Sequence, residues 1–254
     1  MRKAKSEVRS QIAEVALSGG KNARLALVQT ALSPLQSRLS ASSTTLDSVF
    51  FTRDPREVAR ALLGKLVVRK TPRGILAGRI VETEAYLGEG DDAAHAAAGK
   101  TARNAVLFGP PGFAYVYFIY GNHYCLNVSC LPHGVAGGVL FRALEPVAGI
   151  EAMAAARGVA LHTPDDLTRI SWLRQIASGP GRLSQALGVT RDRDNGKNLA
   201  SPRSDLRLVD DGYRVRKIVV TPRIGITKSA AHPLRYVISG NPCVSRTSLG
   251  QDLK

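Results

Sequence analysis

Cysteine is scarce in this chain of 254 residues, which has only Cys125, Cys130 and Cys243. Three cysteines cannot build the disulfide framework of a small secreted domain, and no secretory signal pattern precedes the folded region. These absences predict an intracellular protein. Its compartment would be the cytoplasm or nucleoid of a bacterium, or the nucleus or an organelle of a eukaryote.

Long apolar runs are also missing from the sequence. No stretch approaches the roughly 18 consecutive apolar residues that a membrane-spanning helix requires, so we expect no membrane association. Hydrophobic residues nevertheless make up 44% of the chain, which is typical of a globular protein. The length is sufficient for one large domain with a substantial core.

Acidic residues are the third deficit. The chain has 20 Asp and Glu against 35 Lys and Arg, a formal net charge of +15. A surface this basic attracts polyanions, because each neutralised phosphate releases condensed counterions. The alternative is a basic surface that serves only solubility. The charge therefore favours a nucleic-acid partner without establishing one.

The acids are sparsest in residues 1–46, where Glu7 and Glu14 are the only two. The Gly19-Gly20 pair and the Ser40–Thr45 tract are typical of a flexible tail. An Arg- and Ser-rich, acid-poor segment could be an organellar transit peptide, a basic arm that lies along DNA, or a tail without a role. We expect the folded domain to occupy residues 47–254.

Helix and strand signals alternate irregularly along this domain. Asp54-Pro55 predicts a helix start, and further helices are predicted to begin at Pro146, at Thr163-Pro164 and near Arg182. Strand patterns occupy six segments: 65–69, 76–86, 114–129, 138–144, 214–221 and 234–239. This order predicts a single α+β domain with a mainly antiparallel sheet.

The strand-like segment Gly78–Tyr86 carries the first candidate for chemistry. Side chains alternate across a strand, so Glu82, Glu84 and Tyr86 would share one face. A carboxylate beside an aromatic wall can have a shifted pKa and can act as a general base toward water. The plain alternative is a solvated sheet face, and this segment alone does not exclude it.

The segment Tyr115–Asn127 contains four tyrosines, interrupted by the turn-forming pair Gly121-Asn122. In a hairpin, Tyr115 and Tyr117 share a face and Tyr120 lies at or near the tip. Core packing explains the aliphatic members of this run, but each buried tyrosine hydroxyl would need a partner. Aromatic faces beside a basic surface are what base stacking requires.

A metal site is one interpretation of the four residues His123, Cys125, Cys130 and His133. Their spacing matches no standard zinc signature, and His123 and Cys125 fall inside an apolar, strand-like run. We therefore expect no metal ion and no other cofactor.

These segments closely resemble the alkyladenine (3-methyladenine) DNA glycosylase family, and the resemblance extends from about Leu46 to Ser245. The carrying motifs are Ile80-Val-Glu-Thr-Glu-Ala-Tyr-Leu-Gly88, Ala93-Ala-His95, Thr101-Ala-Arg-Asn104, Tyr115-Val-Tyr-Phe-Ile-Tyr-Gly121, Val139-Leu-Phe-Arg-Ala-Leu-Glu-Pro146, Ser178-Gly-Pro-Gly181 and Pro222-Arg-Ile-Gly225. The family fold is a curved, mainly antiparallel sheet flanked by helices. Each motif is weak alone, but their ordered succession is specific.

The resemblance implies a role for several positions. Glu84 would deprotonate the attacking water, and Arg142 would hold Glu84 and that water in place. The walls of the base pocket would be Tyr86, His95 and Tyr117. Asn127 would disfavour the amino group of normal guanine, and Tyr120 would wedge into the duplex.

DNA-backbone contacts are implied more loosely. Ser178, Gly179 and Gly181 precede a predicted helix whose free N–H groups suit a phosphate, although a plain helix cap explains them equally well. The basic and polar residues in or beside family motifs are Lys100, Thr101, Arg103, Arg182, Arg223 and Lys228. Such contacts would position the duplex without specifying sequence.

The implied activity is that of a monofunctional DNA glycosylase in base excision repair. It would act as a monomer on double-stranded DNA, flip out 3-methyladenine, 7-methylguanine, hypoxanthine or ethenoadenine, and leave an abasic site. The alternative is a non-catalytic β module that binds nucleic acid. Ala102, Asn122 and Cys243 depart from the family pattern, which calls for proline, a larger or apolar residue, and tryptophan. None of these three departures affects Glu84, the predicted general base.

Overall fold

A computed structural model describes residues 43–119, 121–163, 165–166 and 170–245. The strands within these ranges are β1 (Thr44–Thr45), β2 (Leu66–Thr71), β3 (Gly74–Tyr86), β4 (Ala114–Ile119), β5 (His123–Ser129), β6 (Gly138–Ala148), β7 (Leu206–Asp210), β8 (Ile218–Thr221) and β9 (Arg235–Ile238). The helices are α1 (Pro55–Leu62), α2 (Ile150–Ala156), α3 (Ile170–Ala177), α4 (Pro180–Ala186) and α5 (Arg191–Asp194). The predicted α+β class is confirmed.

The strands form one antiparallel sheet in the order β1-β7-β2-β3-β6-β5-β4. Its central strand β3 changes neighbour along its length, since residues 74–79 pair with β2 and residues 82–84 pair with β9. The register with β6 shifts at the same point, between Ile80 and Thr83. Such irregularities bend a strand and increase its twist, which curves the sheet around the segment that carries Glu82 and Glu84.

Helix α1 confirms the predicted start at Asp54, whose carboxylate accepts the Arg56 N–H at 2.8 Å. Val58 and Leu62 are fully buried in the main core, so an apolar stripe of the helix faces the sheet. The Thr83 hydroxyl donates to the Ala59 carbonyl at 3.0 Å, which fixes α1 against β3.

The prediction of a helix that begins at Pro146 is wrong. Strand β6 continues through Ala148, and Pro146 pairs with Gly78 where the register shifts. A proline is tolerated in a sheet at such an irregularity, because no ladder hydrogen bond is required of its missing N–H. Helix α2 begins only at Ile150, after Gly149 turns the chain with a φ of 66°.

Other predicted elements differ, or lie partly outside the described residues. Helix α3 is described from Ile170, and its predicted start at Thr163-Pro164 is followed by residues 167–169, which with Pro164 lie outside the described residues. Strand β7 and helix α5 were not predicted, and β1 falls inside the predicted tail. The remainder of that tail, residues 1–42, lies outside the described residues.

The edge strand β4 is covered along its outer side by the chain that follows α5. The Asn195 side-chain oxygen accepts the Val116 N–H at 2.9 Å. The Ala114 N–H donates to the Lys197 carbonyl at 2.8 Å, and the Gly196 N–H donates to the Ala114 carbonyl at 2.7 Å. This segment fixes the strand that carries Tyr115 and Tyr117.

A buried ion cluster holds α5 to β2. The Arg69 guanidinium contacts Asp194 at 2.7 Å and Asp205 at 2.9 Å, and the side chains of Arg69 and Asp194 are 0% exposed. Lys197 Nζ lies 2.9 Å from the other Asp194 oxygen. Buried charges of both signs compensate one another here, which is the condition for tolerating them in a core.

Candidate active site

A cavity of about 440 Å³ opens where the end of β3 meets the β4–β5 hairpin and the segment after β8. This volume lies in the range of small-molecule pockets in proteins. Residues from several separate parts of the chain line it, among them Tyr86, His95, Tyr117, Asn127, Arg142 and Ile224. The cavity therefore brings together the predicted pocket residues and the predicted arginine.

Glu84 lies beneath the cavity wall and is fully buried. One carboxylate oxygen accepts the Ile224 N–H at 2.8 Å, and the other accepts the Tyr86 hydroxyl at 3.0 Å. The Arg142 Nη1 lies 3.3 Å from the first oxygen. An ionised carboxylate has about four acceptor positions, so these three contacts leave capacity for one further donor.

The proton affinity of Glu84 suits a general base. Burial raises the pKa of its carboxyl above the ordinary value, and nearby Glu82 raises it further. Arg142, the Ile224 N–H and the Tyr86 hydroxyl act in the opposite direction, and burial prevails. A glutamate with a raised pKa is a stronger base once it is ionised.

Arg142 bridges two buried carboxylates. Its Nε donates to Glu82 at 3.1 Å, and its Nη1 pairs with Glu84 at 3.3 Å. Burial alone would lower the pKa of the guanidinium, but the two carboxylates reverse this and the net shift is upward. Arg142 therefore stays cationic next to Glu84, and it also lines the cavity.

Three aromatic rings pack along one wall, with the His95 ring edge-on to those of Tyr115 and Tyr117. The His95 and Tyr117 rings touch at a centroid distance of 4.4 Å, and the His95 Nδ1 lies 2.9 Å from the Tyr115 hydroxyl. Because the first two rings are already in contact, a planar ligand would lie against the pair and not between its members. Asn127 is buried on the neighbouring strand and donates to the Tyr115 carbonyl at 3.1 Å.

Arg223 supports another wall. The centre of its guanidinium lies 4.6 Å from the centroid of the Tyr86 ring. It makes two bonds to the Asp91 carboxylate, at 2.6 and 2.7 Å, and donates to the Ala85 carbonyl at 3.0 Å. The structure thus corrects the prediction that Arg223 contacts a DNA phosphate, because its side chain is 0% exposed and its charge is neutralised by Asp91.

Five further residues predicted to contact the DNA backbone are exposed: Lys100, Thr101, Arg103, Arg182 and Lys228. The Arg103 guanidinium lies 5.9 Å from the centroid of the Tyr117 ring.

The Ser178-Gly-Pro-Gly segment lies beside β6. Ser178 is buried and forms an isolated bridge with Ala143, while Gly179 precedes α4 without a side-chain cap. Gly181 lies so close to the His123 ring that an added Cβ would approach it to 3.0 Å. Tyr120, the predicted wedge, lies outside the described residues.

Glu82 was predicted to share a face with Glu84 and Tyr86, but its arginine partners are distant in sequence. Two further residues that organise the site, Asp91 and Ile224, were not predicted. Asp91 pairs with an arginine 132 positions away. Ile224 acts through its backbone N–H, which leaves no side-chain signal in a sequence.

Among the residues that the structure describes, no group of three or more His, Cys, Asp or Glu side chains is placed to hold a metal ion. Cys125 instead lines the cavity and hydrogen-bonds Tyr117, and burial raises the pKa of its thiol to about 11. Within the same described ranges, no helix is long and apolar enough to cross a membrane.

Comparisons with known proteins agree with this geometry. The sequence profile of the methylpurine-DNA glycosylase family matches residues 49–242. The chain belongs to this family. It is therefore related to DNA repair enzymes that hydrolyse N-glycosidic bonds in DNA.

Individual relatives span the domain almost completely. A Koribacter versatilis protein, provisionally named a 3-methyladenine DNA glycosylase, is 66% identical over 205 residues, which are 81% of this chain and 95% of the relative. Proteins with the same provisional name from Methanocella arvoryzae and Methanoculleus marisnigri are 46% and 47% identical. Their alignments cover 79% and 80% of this chain, and 96% and 99% of the relatives.

Proposed function

We propose that this protein is a monofunctional glycosylase that releases alkylated or deaminated purines from duplex DNA. The observation that carries the proposal is the buried Glu84, held by Arg142, Tyr86 and Ile224 beside an aromatic cavity. A structural role is less suited to this carboxylate, because burial prevails over its partners and raises its pKa, which makes its charged form unfavourable in the fold.

In the proposed reaction, Glu84 takes a proton from water, and the water oxygen bonds to C1′ of the flipped nucleotide. The bond from C1′ to the purine nitrogen breaks, and its electron pair leaves with the base. Arg142 keeps the carboxylate in place while the charge shifts. A cationic purine such as 3-methyladenine departs as a neutral base, whereas hypoxanthine needs a proton on the departing ring. No strand cleavage follows, and an abasic site remains.

Base recognition is proposed to rely on stacking. A flipped purine would lie against the touching rings of His95 and Tyr117, with Tyr86 as another wall and Asn127 beside its edge. Stacking on an aromatic ring contributes about 1–3 kcal/mol per base. The exposed cations Lys100, Arg103, Arg182 and Lys228 would contact phosphates, and one copy of the domain would bind one lesion.

The test is a single-turnover assay on duplex oligonucleotides with one 7-methylguanine, hypoxanthine or ethenoadenine. Wild type and Glu84→Gln are compared before and after alkali, at several salt concentrations. Strand cleavage that requires alkali, is absent in Glu84→Gln and weakens with salt would support the proposal.

Two results would contradict it. Cleavage without alkali would indicate a lyase step and exclude a monofunctional enzyme. Tight, salt-dependent binding of all three duplexes without base release would indicate the binding module.

A further inference from the structure

Glu82 is a buried carboxylate in the same region that the proposed reaction leaves without a role. It is fully buried and accepts four hydrogen bonds. The donors are Arg142 Nε at 3.1 Å, Arg235 Nε at 2.6 Å, and the Ser245 N–H and hydroxyl at 2.7 and 2.8 Å. These donors come from β6, β9 and the segment after β9, so this one side chain connects three parts of the chain to β3.

We propose that Glu82 is a positioning residue that sets both the orientation of Arg142 and the basicity of Glu84. This inference rests on the proposed role of Glu84 as the base. Arg142 divides its guanidinium between the two carboxylates, with Nε at 3.1 Å from Glu82 and Nη1 at the longer distance of 3.3 Å from Glu84. Glu84 therefore has a longer contact with Arg142 than Glu82 has.

The balance of charges supports this role. The groups that act on Glu84 are Arg142 from β6, Tyr86 and Glu82 from β3, Arg223 from the segment after β8, and Cys125 from β5. Arg223 is neutralised by Asp91, and the pKa of the Cys125 thiol is raised to about 11, which keeps it uncharged near neutral pH. The charged neighbours that remain are two arginines and one carboxylate: Arg142 and, on β9 opposite Glu84, Arg235, both of which contact Glu82. Removing the Glu82 charge therefore leaves the attraction of the arginines for Glu84 unopposed.

The test is the pH dependence of the single-turnover rate for Glu82→Gln on hypoxanthine-containing duplex. Without the Glu82 charge the Glu84 pKa falls, so the acidic limb should move to lower pH by about one unit. A weaker base that is paired more strongly with arginine should also lower the plateau rate about tenfold. Binding of the lesion duplex should stay within about threefold of wild type. Glu145→Gln is the matched control, because Glu145 lies on the same strand as Arg142 and its carboxylate accepts from Asn241 at 3.0 Å.

Glu82→Gln leaves Arg235 without its carboxylate and could prevent folding. The double variant Glu82→Gln/Arg235→Gln removes one charge of each sign and should show the same direction of shift. A folded variant whose acidic limb coincides with that of wild type would overturn the inference. If wild type itself released no base, the proposed function would fail. If wild type were active and Glu84→Gln inactive, an acidic limb of the Glu82→Gln pH–rate profile that coincides with that of wild type would refute the role of Glu82 alone.

Discussion

Glu84 and Asp194 are both fully buried carboxylates beside an arginine, yet their proton affinities shift in opposite directions. At Asp194, burial favours the protonated form, but hydrogen bonds from Arg69 and Lys197 outweigh it and the net pKa is lowered. At Glu84, burial prevails over Arg142 and the net pKa is raised.

The difference lies in how the donors are distributed. Asp194 has an arginine nitrogen at 2.7 Å and a lysine at 2.9 Å, whereas Glu84 has one arginine nitrogen at 3.3 Å, from a guanidinium that also contacts Glu82. The first arrangement holds a permanent charge and stabilises the fold. The second leaves a carboxylate able to accept a proton. The same residue types can therefore serve structure or chemistry, depending on how many cations contact the carboxylate and how closely.

The largest expected effect is the loss of activity when Glu84, and not Asp194, is replaced. Glu84→Gln should lower the single-turnover rate by about a thousandfold, because it removes the proposed base. The free energy of unfolding, measured in urea, should stay constant or increase, because a poorly compensated buried charge is removed. A rate near that of wild type would show that Glu84 is not the base and does not differ in role from Asp194.

Asp194→Asn should have the converse effect. It leaves Arg69 and Lys197 without a full partner and should lower the free energy of unfolding by about 3 kcal/mol. The single-turnover rate of the folded fraction should not change, since the cluster lies outside the cavity. Urea unfolding of this variant beside Asp192→Asn, the same change at an exposed position of the same helix, checks the specificity of the loss.

Acid should affect the two regions in separate pH ranges. Glu84 has a raised pKa, so it becomes protonated at a higher pH than an ordinary glutamate, and kcat/KM should fall about tenfold per pH unit below that value. Asp194 has a lowered pKa, so its stabilisation is complete above the unfolded value of about 3.9 and is lost as pH falls toward the folded value.

Rate and urea stability, measured on the same samples from pH 8 to pH 3.5, test this separation. Activity should decline while the Asp194 contribution to stability is intact. Coincident loss of both would show that acid acts on activity through unfolding.

The smallest expected effect comes from a variant that leaves Asp194, like Glu84, with a single cationic donor. Lys197→Met removes one of its two cationic donors and should raise its pKa toward the ordinary value. We expect about 1 kcal/mol of lost stability at neutral pH, since Lys197 is partly exposed. Lys70→Met, at an exposed position on β2, is the control and should change stability by less than half of that.

Local patterns in the sequence predicted much of this site. The two-residue repeat of β3 placed Glu82 and Glu84 on one face, and both contact Arg142. The cap at Asp54 and the β4–β5 hairpin follow from equally local signals. The family resemblance supplied the candidate roles, which the assays above would test.

Contacts between residues that are distant in sequence explain the predictions that were wrong. The charge of Arg223 indicated a surface contact, but Asp91, 132 positions away, draws it into the interior. Pro146 has the sequence signature of a helix start, and it lies in a strand because an irregular pairing with Gly78 accommodates it. Only the assembled sheet determines either outcome.

The covered edge of β4 has a consequence for how the protein behaves in solution. An exposed strand edge is a template for the strands of other chains. Asn195, Gly196 and Lys197 occupy hydrogen-bonding groups of Ala114 and Val116, so that template is not available there. Neighbouring molecules at high local concentration therefore cannot add a strand along this part of the sheet edge.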